Sequence, residues 1–121
     1  MNNSAKTVNK ICKALDEKLA DTVKIIDISK ISVIADYFII AGGFNGPHME
    51  ALVDNVSEKL NKEEINPIRT EGAHSNDWVL MDYGDVVLHV FSKEARSFYD
   101  LERVWSDGTI YNVDEFSKIE E

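Results

Sequence analysis

Trp78-Val79-Leu80-Met81-Asp82-Tyr83-Gly84-Asp85-Val86-Val87-Leu88-His89-Val90-Phe91 is the stretch whose reading decides the fold. Its flanks, residues 78–81 and 86–91, are dense in branched and aromatic residues, the composition of strands that pack on at least one face. The four residues between them make a turn, because an Asp side chain can hold a local backbone amide and Gly84 tolerates positive φ. So short a connection predicts an antiparallel hairpin. Val86, Leu88 and Val90 share one parity of the second strand, and Val87 and Phe91 the other. A strand apolar on both parities belongs inside a sheet covered on both sides, which places it at the centre of the fold.

Upstream, Val8, Ile11, Cys12, Leu15 and Leu19 recur at spacings of three and four, which predicts a first helix over residues 4–20. Residues 23–28 alternate as a strand, and residues 37–41 are apolar enough to form a buried one. Gly42-Gly43-Phe44-Asn45-Gly46 then interrupts the chain. Asn45 or Gly46 can cap a second helix that opens on Pro47, runs to about Glu63 and turns Met49, Leu52, Val53, Val56 and Leu60 to the core. Residues 66–71 read as a short strand, at a sheet edge because of Pro67. Downstream, Ser92 can cap a last helix from Lys93 to about Trp105, with Ala95, Phe98, Leu101, Val104 and Trp105 inward. The expected architecture is a mixed α/β (α+β) domain over residues 1–107, with a five-stranded, partly parallel sheet flanked by helices. Residues 108–121 are expected to be an acidic C-terminal tail that packs locally or frays.

The chain of 121 residues is long enough for one domain with a core of its own, and no apolar run approaches a membrane span. Cys12 is the only cysteine, which leaves no internal disulfide and no cysteine metal site and reads as a small apolar residue in a reducing, cytoplasmic setting. The net charge of −9 argues against direct nucleic-acid binding, which needs clustered Lys and Arg, and permits a basic partner. Residues 1–24 carry five Lys against three acids, so the acidity belongs to the body and end of the chain.

Little here supports catalysis. His89 lies in an apolar strand without a Ser or Cys nucleophile motif and reads as a buried, bonded histidine. His74 sits in a polar loop without a ligand partner at usable spacing, and His48 reads as surface packing in the first turn of a helix. Asp82 and Asp85 are three apart across a turn, whereas a two-metal site wants carboxylates on one face of a strand. The glycines at 42, 43 and 46 fit neither the phosphate-loop nor the dinucleotide spacing. Neither a catalytic set nor a metal or cofactor site is therefore assigned. The same hairpin suits recognition: Trp78, Met81 and Tyr83 flanked by Asp77, Asp82 and Asp85 give an apolar centre with an acidic rim. Alternation puts Trp78, Leu80 and Asp82 on one face and Val79, Met81 and Tyr83 on the other, without saying which is covered.

Three blocks carry a family resemblance: residues 36–41 (Asp-Tyr-Phe-Ile-Ile-Ala), the hairpin 78–91, and residues 98–105 (Phe-Tyr-Asp-Leu-Glu-Arg-Val-Trp). In order and spacing they resemble the signature blocks of the ribosomal silencing factor family, also known as RsfS, Iojap or YbeB. The resemblance runs from the first helix to Trp105 and implies a nucleotidyltransferase-like fold in a protein not known as an enzyme. It further implies binding to ribosomal protein L14 on the large (50S) subunit, at the surface that meets the small subunit. Joining is then blocked and translation falls when nutrients are scarce. Free members are commonly homodimers. By position, the L14 contacts implied are Trp78, Met81, Asp82, Tyr83 and Asp85, with Asp36 and Tyr37 given a structural role. A large-subunit assembly factor using the same contact and a nucleotide-using enzyme are the competing readings. One block departs from the family pattern, in which a Thr-Gly-x-Ser precedes a basic residue and His. Here residues 42–48 read Gly-Gly-Phe-Asn-Gly-Pro-His, and Asn45 can replace the serine as a helix cap.

Overall fold

The computed structural model of the chain describes residues 3–73 and 75–119. Its centre is the second strand of the hairpin, β5 (Val86–Ser92), in which every residue is buried. The first strand of the hairpin, β4 (Trp78–Asp82), pairs with β5 antiparallel from Trp78 opposite Phe91 to Asp82 opposite Val87. On its other side β5 pairs in parallel with β2 (Tyr37–Gly43), which is equally buried. Beyond β2 lies β1 (Asp21–Asp27), antiparallel to it, and beyond β4 the edge strand β3 (Arg69–Glu71).

The sheet has six strands, in the order β3-β4-β5-β2-β1-β6, and the sixth corrects the expected count of five. It comes from the expected tail. Thr109–Asn112 forms β6, antiparallel to β1, and Val113–Ile119 forms a helix, α5, whose Phe116 is buried. Phe116 meets Tyr37 edge-on at 5.3 Å and Tyr111 at 5.8 Å, so aromatic packing attaches this segment to the domain.

One face of the sheet, bearing Ile25, Tyr37, Ile39, Ala41, Met81, Val86, Leu88 and Val90, is sealed by three helices. They are α1 (Asn3–Glu17), α2 (Gly46–Asn61) and α5. The apolar stripe of α1 is buried at Val8, Ile11, Cys12 and Leu15, but α1 ends at Glu17 and leaves Leu19 exposed at φ 59°. Asn45 caps α2, its Oδ1 accepting the His48 amide at 2.8 Å, and the chain enters the helix through Pro47. Gly43 is needed where β2 meets α2, since a Cβ there would collide with the Met49 side chain.

The opposite face carries Ile26, Phe38, Ile40, Val87, His89 and Phe91. It is covered by much less: α3 (Lys93–Tyr99) and the single turn α4 (Leu101–Val104). Ser92 caps α3, its Oγ accepting the Ala95 amide at 3.1 Å. The one helix expected over 93–105 is broken by Asp100, which adopts a left-handed conformation with φ 47°. The break turns Leu101 and Trp105 onto the sheet, where Trp105 meets Phe38 edge-on at 5.2 Å. It also overturns the inward placing of Phe98 and Val104, which are 81% and 63% exposed.

If the C-terminal unit is part of the fold, Phe116→Ala should cost about 3–5 kcal/mol, the usual range for emptying a buried aromatic site. Urea unfolding followed by tryptophan fluorescence measures this, and an unchanged midpoint would show that residues 109–119 contribute nothing to the cooperative unit.

Candidate functional site

The structure does not bring the five expected contact residues onto one surface. Trp78 and Asp82 lie on the thinly covered face, while Met81 points to the sealed one and is 1% exposed. Met81 is thereby corrected from a contact residue to a core residue, because α1 and α2 cover that side of β4. Tyr83 packs against the same core, with its hydroxyl buried and without a partner among the described residues. Burial pushes that phenol up to about 12. Asp85 is exposed at the turn, but its Oδ2 accepts from the Ser4 hydroxyl at 3.4 Å, and its backbone oxygen accepts the Asp36 and Tyr37 amides. Asp36 accepts from the same Ser4 hydroxyl at 2.9 Å, in line with its expected structural role.

Asp82 is committed as well. One carboxylate oxygen accepts the Gly84 amide at 2.8 Å, closing the turn, and the other lies 3.5 Å from Arg69 Nε on β3. This is an Asx turn with a cross-strand ion pair, as expected where Gly84 sits at φ 89°. Asp82 and Asp85 do not converge, and no group of three or more His, Cys, Asp or Glu among the described residues could hold a metal.

The thinly covered face instead assembles an aromatic surface. The Trp78 ring lies 4.9 Å from Phe91 and 4.6 Å from Tyr99, and Phe98 meets Tyr99 edge-on at 5.1 Å. Trp78 Nε1–H donates to His89 Nδ1 at 3.1 Å, which puts the His89 proton on Nε2. Two open hollows flank Trp78. One, of about 270 Å³, is lined by Glu71, Gly72, Trp78 and Leu80, and the other, of about 360 Å³, by Asp77, Glu94, Ala95, Phe98 and Tyr99. The result is an apolar centre rimmed by carboxylates. Sequence reading placed Leu80 on the Trp78 face but left Phe98 and Tyr99 out of this surface, because a continuous helix would have rolled Phe98 inward and Tyr99 away. The signal available was weak: Asp100 is among the few residue types that adopt left-handed backbone.

Elsewhere, His48 does more than pack at the surface. Its Nδ1 accepts the Phe44 amide at 3.0 Å and its Nε2 pairs with the Lys18 carbonyl at 2.7 Å, tying the end of α1 to the loop before α2. His74 lies outside the described residues.

These features define a class: a mixed α/β domain with an exposed surface of aromatic rings and an acidic rim. The chain belongs to the ribosomal silencing factor family. The family described as "Ribosomal silencing factor during starvation" matches residues 1–121, which includes the C-terminal segment that the signature blocks leave out. The chain is 36% identical over 110 residues to ribosomal silencing factor RsfS of Bacillus subtilis, covering 90% of this chain and 93% of the relative. It is 28% identical over 102 residues to the Mus musculus protein named mitochondrial assembly of ribosomal large subunit protein 1, covering 82% of this chain and 45% of that one. A crystal structure from Chromobacterium violaceum superposes with a TM-score of 0.84 at 30% identity, over 87% of this chain and 88% of the other.

His89 supplies a pH test of this site. Burial lowers its pKa from 6.5 to about 4, so the unfolded chain takes up a proton that the folded one refuses. Stability should be intact above pH 6.5 and fall as the pH drops toward about 4, by up to about 1.4 kcal/mol per unit. His89→Gln should flatten that limb in urea titrations between pH 4 and 7. An equally steep fall in the variant would assign the acid sensitivity to another group.

Proposed function

We propose that this protein silences ribosomes by docking on ribosomal protein L14 of the 50S subunit, where it occupies space that the 30S subunit needs. Subunit joining is blocked and translation is repressed when nutrients are limiting. The action is steric and needs neither substrate nor cofactor. It takes place in the cytoplasm, and the free protein pairs with a second copy of itself.

One observation carries the reading: the sheet face left thinly covered by α3 and α4 exposes Trp78, Leu80, Phe98 and Tyr99 within a rim of carboxylates. Aromatics in a partly desolvated patch are the usual anchors of an interface, and the rim charges select the partner. A ribosomal protein is expected to be basic, and the acidic rim complements it. Trp78 stays among the proposed contacts, while Asp82 and Asp85 act through the turn that supports it. Met81 and Tyr83 hold β4 against the core. The family membership supports a ribosomal target.

A role in large-subunit assembly is a second reading, favoured by the printed name of the mouse relative, and would use the same contact. The two separate by timing: a silencing factor acts on finished subunits. Purified protein should therefore co-sediment with mature large subunits and suppress their joining to small subunits in a light-scattering assay. Unchanged joining at saturating protein would sink the silencing reading.

Within the surface, Phe98→Ser should leave stability within about 0.5 kcal/mol, because the ring is already in water. It should weaken L14 binding at least about tenfold if the ring is an anchor. Calorimetry with purified L14 measures this, and wild-type affinity in the folded variant would take α3 out of the interface.

A further inference from the structure

We propose that the hollow between Asp77 and α3 is a socket for one arginine side chain of the docking partner. The proposal rests on the docking reading above and names the chemistry that this part of the surface takes.

The first support is charge accounting around the face. Arg69 lies 3.2 Å from Glu71 and 3.5 Å from Asp82, Arg96 is 2.9 Å from Glu102, and Arg103 is 3.0 Å from Asp100. All three arginines of the chain are therefore engaged with its own acids. Asp77 and Glu94 are the carboxylates lining the Phe98–Tyr99 hollow, and among the described residues neither is in an ion pair. Among the described residues the Asp77 carboxylate accepts one long bond, 3.4 Å, from the Ser92 hydroxyl, while its backbone oxygen accepts the Ser92 amide at 2.9 Å. A guanidinium for this site must therefore come from another molecule. A second copy of the chain is poorly suited, since its arginines are spent in the same way.

The second support is shape. Buried Ala95 lines the hollow together with the Phe98 and Tyr99 rings, which stand at 89° to each other, and the two carboxylates come from separate segments. A planar guanidinium can lie against a ring face while donating in its own plane to carboxylates. A lysine ammonium is a compact, strongly hydrated charge and cannot do both. A metal ion is not favoured, since no third ligand of the His, Cys, Asp or Glu kind joins the pair among the described residues.

The test has two arms, both on the full chain. In the first, Nα-acetyl-arginine methylamide is titrated while the Phe98 and Tyr99 ring resonances and the Ala95 methyl are followed by NMR. These signals should shift saturably, at concentrations about tenfold lower than the lysine analogue requires. The neutral citrulline analogue should leave them unmoved, and the Asp77→Asn/Glu94→Gln double variant should abolish the response. Equal shifts with the arginine and citrulline compounds overturn the socket. In the second arm, the same double variant should bind purified L14 at least about tenfold more weakly than the wild type. Equal affinity of the two forms overturns the socket and leaves the docking reading standing. If the wild type fails to bind L14 while the arginine compound still moves the rings, the docking reading falls and the socket belongs to another arginine-bearing partner.

Discussion

The pairing of β2 with β5 is the constraint on which the rest of the structure depends. The two strands run parallel in unbroken register from Tyr37 opposite Val86 to Gly43 opposite Ser92, and all fourteen residues are buried. A parallel pair cannot be closed by a hairpin, so the chain must leave β2, cross the sheet and return. That detour holds α2, β3 and β4, and it makes β4 a neighbour of β5 on the side away from β2. A pair buried on both faces also needs two covering layers. Fully burying one Val, Leu or Ile is worth about 1.5–3 kcal/mol, so a bare face of this sheet would forfeit several such contributions.

The two layers are unequal, and the inequality leaves the aromatic surface exposed. The sealed face has helices of fifteen and sixteen residues together with α5, whereas the other has seven residues of α3 and the four of α4. Those eleven residues cover β4 only in part, touching it where the Tyr99 ring lies against Trp78. Trp78 and Leu80 are consequently half covered, with the Trp78 ring held by Phe91, Tyr99 and a hydrogen bond to His89. A ring fixed in this way has little side-chain entropy left to lose in any contact. His89 thus positions the indole through its Nδ1.

The charge of the chain acts at two ranges. A net −9 favours encounter with a basic body and falls away beyond about 8 Å at physiological ionic strength. At contact distance Arg69, Arg96 and Arg103 are each engaged with acids of the same chain, whereas Asp77 and Glu94 are in no ion pair among the described residues. Composition reports the sum and is silent on this difference.

Much of the fold was legible because it depends on local chemistry. The alternation of residues 78–91 gave the hairpin and its central strand, and Asn45 and Ser92 marked the starts of two helices through their capping oxygens. The three signature blocks gave the family. Alternation also separated Trp78 from Met81 by face, but a strand's period cannot say which face the rest of the chain will cover. Only the packing of α1 and α2 decided that Met81 is core and Trp78 is surface. Likewise, helical periodicity assigned Phe98 to the interior until one left-handed residue, Asp100, turned the chain and set the ring in solvent. The final segment reads as an acidic tail because its apolar residues are few. Its partners, β1 and Tyr37, lie some seventy or more positions earlier, and contacts at that separation leave no local pattern to read.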